Sequence, residues 1–400
     1  MNTPHDKFCV LPWVSLEASP IGTVRPCCLA QDEIVDSNSV KFNLKTANFD
    51  DIRNSEYMYQ LRQAFLAGER PATCNRCWAE ESAGRTSKRM HTLERLKHIV
   101  NDTEWDHDAK PLMFLDLKLG NICNLKCRIC GSWSSSSFAT EELQALPKER
   151  QRESFHYQML RAGAWPRGSE EFWKQLESGM SEIRYIEFTG GEPFMIREHF
   201  DLLSRLVASG HANNIEIHYN TNGTHFPDSA EEIWSNFKHV EIAFSIDDVG
   251  ERFEYQRSGA KWNEVNHNIF QFRNMRDRNL NMTLQVCCTV NVFNVCYLED
   301  VATWIQQQDF DFIYWNILHD APQFSIASLP GEVKKIVANY LDRCRVPGQF
   351  RSEFDRIKDF MLQGNSTTGD LLRQEITRVD QRRGEQLKLV APELAQLLGL

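Results

Sequence analysis

Between residues 119 and 130 the chain reads LGNICNLKCRIC, which places Cys123, Cys127 and Cys130 in the spacing C-x3-C-x2-C. Four thiolates close a tetrahedral zinc site or an ordinary iron–sulfur cluster. Three leave one metal position open, and an open position separates a catalytic metal centre from a structural one. No His or Cys follows within twenty residues to complete a zinc knuckle. A second group comprises Cys9, Cys27 and Cys28, with Cys74 and Cys77 in C-x2-C spacing. That spacing serves zinc and iron–sulfur ligation alike. The remaining cysteines are Cys287, Cys288, Cys296 and Cys344.

The composition bounds the chemistry. The chain has 400 residues, 42% of them hydrophobic, enough for two or three domains with cores. A formal net charge of −10 disfavours a duplex-DNA footprint. No apolar run is long enough to span a membrane, and MNTPHDKF lacks a signal-peptide core, so a cytoplasmic location is expected. Twelve cysteines in a reducing compartment read as metal or cluster ligands rather than disulfides.

Positioning such ligands requires a scaffold. Period-two alternation predicts strands at 112–120, 182–191, 214–223, 239–248, 281–290 and 310–318. Helical patterns separate them near 169–179, 197–209, 228–237, 262–278 and 297–308. This alternation predicts an α/β fold, a partial (β/α)6 TIM-like barrel with parallel strands. Its chemistry belongs at the C-terminal strand ends, where NICNLKCRIC, TGGEP and NTNG fall. The expected division is 1–107, turn-rich and cysteine-bearing, with a connector helix at 85–100; 108–330, the barrel; and 331–400, a helical extension. A further helix is expected at 55–69.

A C-x3-C-x2-C loop after the first strand of a parallel barrel resembles the radical S-adenosylmethionine (SAM) superfamily. The resemblance implies that Cys123, Cys127 and Cys130 hold a 4Fe-4S cluster whose open iron chelates SAM. Reductive cleavage then yields a 5′-deoxyadenosyl radical that abstracts hydrogen from a substrate. Gly190, Gly191, Glu192 and Pro193 match the family's glycine-rich turn at the methionine amino group. Asn222, in TNG, resembles a strand-end position near the cofactor; Ser245 and Asp247 suit ribose hydroxyls, and Arg257 faces the methionine carboxylate. Ile129 stands where the family usually has an aromatic residue against adenine.

The segment from Cys9 through Gly22 to Cys27, with CNRC at 74–77, resembles the SPASM extension of such enzymes in its shortened twitch form. The implied ligands of one auxiliary 4Fe-4S cluster are Cys9, Cys27, Cys74 and Cys77, with Cys28 the alternative to Cys27; a structural zinc site uses the same thiolates. The resemblance thus implies two 4Fe-4S clusters, SAM, and a flavodoxin- or ferredoxin-type electron donor. The expected substrate is a ribosomally made peptide, with a sugar, nucleotide or other small molecule as the alternative. A non-catalytic cluster- or zinc-binding scaffold is the reading of another class. The catalytic residue is open: Cys288 is a candidate hydrogen donor, though a small buried hydrophobe is the favoured reading, and His218 is a candidate pocket residue, with a structural histidine as its alternative. Asp116 and Lys118 are expected to pair across the barrel floor.

Overall fold

The computed structural model describes residues 3–400 except 83, 102, 228, 280, 320 and 365–368. The strands are β1 Ser15–Ala18, β2 Val24–Arg25, β3 Phe114–Leu117, β4 Lys126–Cys127, β5 Tyr185–Phe188, β6 Glu216–Thr221, β7 His239–Ser245, β8 Arg257–Ser258, β9 Met282–Val290 and β10 Phe312–Ile317. The helices used below are α1 Glu56–Leu66, α2 Asn75–Ser82, α3 Lys88–Val100, α4 Glu170–Gly179, α5 Arg197–Ala208, α6 Trp262–Arg278 and α7 Leu298–Gln306. Each of the six expected strands is present, shorter at one or both ends. The helix expected at 228–237 is reduced to Ala230–Trp234, and residue 228 lies outside the described residues.

The chain forms two compact units. The first comprises Met1–Cys123, Ser132–Tyr219 and Asp228–Val240. Its strands run in the order β6-β5-β3-β1-β2, parallel except for β2, which is antiparallel to β1. Strands before residue 112 were not expected. β1 is only four residues long and directly follows the helical turn Leu11–Val14, so its alternation has no length over which to show.

The register explains this unit's two layers. Leu16, Leu115, Ile186 and Ile217 are cross-strand partners, and all are buried. Their row lies one residue out of phase with a second row: Arg25, Glu17, Asp116, Glu187 and His218. Successive side chains in a strand point to opposite faces, so one face carries the aliphatic row and the other the ionisable row, with Phe114 and Tyr185 beside it. α4 and α5, which follow β3 and β5 in the chain, bury Phe172, Leu176, Leu202, Leu203 and Leu206.

The second unit comprises Asn124–Gly131, Asn220–Pro227 and Glu241–Leu400. Its order is β10-β9-β7, with β9 and β10 parallel. Along β9 burial alternates residue by residue. α6 and α7 bury Val265, Ile269, Phe272, Val301 and Ile305. β4 and β8 form a separate antiparallel pair that sets Cys127 opposite Arg257. The chain then runs through helices Gly331–Arg343, Gly348–Gln363 and Gly369–Arg383. No described helix is long and apolar enough to cross a membrane.

Candidate functional site

In the second unit the cysteine loop is built from β4 outward. Cys127 lies opposite Arg257, whose Nη1 is 3.8 Å from its sulfur. The Cys130 amide turns back to donate to the Cys127 carbonyl at 3.1 Å. A hydrogen bond from Cys130 lowers the Cys127 thiol to about 7 against burial, and the Arg257 charge adds to the effect. A thiol at that value is half thiolate at neutral pH, and the thiolate is the metal ligand. Cys130 is exposed and Ile129 half-buried.

Between them, Arg128 anchors the loop. Its Nε donates to the Tyr255 carbonyl at 3.0 Å, its guanidinium lies 3.5 Å over the Tyr255 ring, and Nη2 pairs with Asp380 at 2.6 Å and with Glu385. This residue carries no motif signal, because its acidic partners lie in and just after the Gly369–Arg383 helix.

Asp247 and Arg257 bond each other, Nη2 to Oδ2 at 2.7 Å. The Thr289 amide fills the other Asp247 oxygen at 2.9 Å. The expected separate roles, ribose for one and carboxylate for the other, thus start from an ion pair. Arg257 Nε remains buried without a partner. Asn222 closes its own turn, accepting from the Thr224 amide at 2.9 Å and donating to Asn124 at 3.1 Å. Ser245 ends β7, half-buried. Of the paired thiols, Cys288 is fully enclosed with its sulfur 3.8 Å from the Asp247 carbonyl, while Cys287 keeps partial exposure.

In the first unit, the Cys123 amide donates to Ser136 Oγ at 3.1 Å and its carbonyl accepts from Ser137 Oγ at 2.8 Å. The glycine-rich turn is fitted to this same loop. The Glu192 amide donates to the Ile122 carbonyl at 2.7 Å. Gly191 has φ +61°, and a Cβ there would lie 2.6 Å from Ile122 O. Gly190, with φ +78°, leaves room for the Lys118 side chain. Glu192 is fully buried, and Pro193 opens a short 3-10 turn.

Cys9, Cys27, Cys74 and Cys77 line one cavity, together with Leu11 and Phe65. Burial first, then the neighbouring sulfurs, raises Cys9 and pushes Cys27 up to about 12. Four crowded thiols repelling one another as anions are a donor set that a multivalent cation relieves. Cys28 faces elsewhere. Its sulfur shares a 4.8 Å cluster with Asp116 and Glu187 in the ionisable row.

That row is internally paired. Lys88 Nζ reaches both Glu187 oxygens at 2.6 and 2.7 Å. Lys118 Nζ binds Glu17 at 2.6 Å and Asp116 at 3.3 Å, so the expected Asp116–Lys118 pairing is present. Arg25 forks onto Glu17 at 3.0 and 2.9 Å. Three carboxylates therefore face three cations, which disfavours adding a metal ion beside Cys28. Asp116 Oδ2 is buried without a partner. His218 ends the row beside Glu187 and is buried.

Comparison with known proteins gives two family matches. Residues 117–305 match the radical SAM superfamily, and residues 9–78 match SPASM, an iron–sulfur cluster-binding domain. No curated protein matches. Among solved structures, native anSMEcpe with bound AdoMet is 18% identical with a TM-score of 0.36; the match covers 58% of this chain and 60% of that one. SuiB of Streptococcus suis bound to precursor peptide SuiA is 12% identical with a TM-score of 0.32, covering 88% and 71%. This chain thus spans about three fifths of the anSMEcpe chain.

Proposed function

Residues 117–305 belong to the radical SAM superfamily and residues 9–78 are a SPASM-type cluster-binding module; on that premise we propose that the protein is a radical SAM oxidoreductase that modifies a ribosomally made peptide. Such enzymes require a 4Fe-4S cluster and SAM, and the SPASM module binds auxiliary iron–sulfur clusters. When bound, these groups supply a 5′-deoxyadenosyl radical and a second electron-transfer centre.

The chain's own residues take the following parts in this proposal. Cys123, Cys127 and Cys130 would hold the catalytic cluster, and the lowered Cys127 thiol offers one ligand that is half thiolate at neutral pH. Arg257, with its unpartnered Nε, offers a donor to the SAM carboxylate while Asp247 fixes its orientation. The Gly190–Gly191 turn packs its main chain against Gly120 and Ile122, and it would meet the methionine amino group there. Cys9, Cys27, Cys74 and Cys77 hold one auxiliary cluster and leave it no open iron.

The observation that favours a peptide over a phosphorylated substrate is the ionisable row. Its charges balance, so it offers no net positive field for phosphate. The expected reductant is a flavodoxin- or ferredoxin-type protein.

The test is anaerobic reconstitution with iron and sulfide, then SAM and reductant. Reductant-dependent 5′-deoxyadenosine, and a mass change in a supplied precursor peptide, are the expected products. Tightly bound zinc without SAM cleavage would overturn the enzyme reading. A mass change on a sugar or nucleotide, with none on peptides, would overturn the substrate class.

A further inference from the structure

The first turn of α3 reaches the four-cysteine cavity with more than a helix start. Ser87 caps it, accepting from the Met90 amide at 3.3 Å. The Arg89 main-chain N–H donates to Cys77. The Arg89 side chain lines the cavity, is only 6% exposed, and is the cation whose charge acts on Cys9 and Cys74. It cannot swing away. Nη1 donates to the Asp6 and Phe8 carbonyls at 2.7 and 2.8 Å, on the segment leading into Cys9. Nε and Nη2 fork onto Glu81 at 2.9 and 2.7 Å. Glu81 lies on α2, the helix that carries Cys77, and its negative charge acts on that sulfur in the opposite sense.

An iron–sulfur centre becomes more negative when reduced. Apolar burial opposes that change, while a nearby cation and hydrogen bonds to sulfur favour it. At this cavity burial and a fixed guanidinium act against each other. We infer that Arg89 holds the reduction potential of the auxiliary centre up, so that it accepts an electron from substrate, and that Glu81 is the counter-charge limiting this effect. The inference rests on the assignment of Cys9, Cys27, Cys74 and Cys77 as cluster ligands. Arg89 is a positioning and tuning residue: it touches the ligands and makes no bond to substrate.

The test is a potentiometric titration followed by EPR. It uses the full-length chain with Cys123, Cys127 and Cys130 replaced by Ala, reconstituted anaerobically, so that one centre is titrated. At fixed potential, Glu81→Gln should raise the reduced-to-oxidised ratio tenfold, which is about 59 mV for a one-electron couple. Arg89→Met should lower it by a similar factor, and Arg89→Lys should stay within threefold of the parent. Every variant keeps the main-chain N–H at position 89, so the shifts isolate the side-chain charge. If Arg89→Met fails to fold, Glu81→Gln still decides, because Gln retains an acceptor for the fork. Shifts of the same sign in the two variants, or a Glu81→Gln ratio within threefold of the parent with iron retained, would overturn the inference. Absence of a four-iron centre in the parent would overturn the ligand assignment and the inference with it.

Discussion

Arg257 and Asp247 form a buried ion pair at 2.7 Å, with side chains 10% and 1% exposed, directly beside Cys127. Removing one partner leaves a desolvated charge, at a cost of roughly 3–5 kcal/mol. Asp247→Ala should therefore destabilise the protein by that order in denaturant unfolding. The double variant Asp247→Ala with Arg257→Met should recover part of the loss. Fully additive losses would mean the pair does not couple.

Replacing Cys123, Cys127 and Cys130 together by Ala should abolish 5′-deoxyadenosine formation and leave a folded chain. Cys123 and Cys127 are buried, but all three lie outside the strands of the large sheet, so its apolar rows survive. Circular dichroism and product chromatography on one sample check both halves. Residual SAM cleavage would remove these residues from the catalytic centre.

Gly191→Ala should strain the loop that carries Cys123 before it affects any ligand. The new Cβ would stand 2.6 Å from Ile122 O at a positive φ, a cost of roughly 1–3 kcal/mol. A lower Tm and weaker SAM binding should appear together. A variant with parental Tm and parental affinity would show that the turn tolerates side chains.

Cys74→Ala with Cys77→Ala should remove about half the iron and lower the stability of the cysteine-bearing segment. SAM cleavage should persist while modified substrate falls steeply. Equal loss of 5′-deoxyadenosine and product would point to collapse, and full product yield to a dispensable staple.

His199 is fully buried against Tyr219 and held neutral, its value lowered by burial from 6.5 to about 3. The unfolded chain takes up this proton below about 6.5 and the folded one does not, so stability falls as pH falls across that window. The slope is roughly 1.4 kcal/mol per pH unit for one group. His199→Phe should flatten the dependence of Tm on pH between 6 and 4. An unchanged slope would assign the acid sensitivity to other groups.

The cysteines that line one cavity, Cys9, Cys27, Cys74 and Cys77, were grouped from sequence by a motif spacing that spans separated segments, and Cys123, Cys127 and Cys130 by a compact one. Strands such as β9 were legible because nine alternating residues carry a clear period. Arg128 and Arg89 were not, because each derives its role from partners remote in the chain: Asp380 for one, the carbonyls of Asp6 and Phe8 for the other. Between Cys27 and Cys28 the glycine spacing favoured Cys27, but spacing alone gives no geometry. The choice depends on which side of one backbone turn faces the cavity. The ionisable row was half visible. Alternation set polar against apolar positions in each strand, but only the parallel register aligned Glu17, Asp116 and Glu187.

β1 belongs to the cysteine-rich segment, yet its parallel partner is β3, made long after it. During synthesis this segment leaves the ribosome before β3 does. Until Phe114–Leu117 follows, β1 has only the two residues of β2 beside it, and an open strand edge invites pairing with other chains. The cysteine-rich segment therefore has no closed sheet to join until β3 has been made.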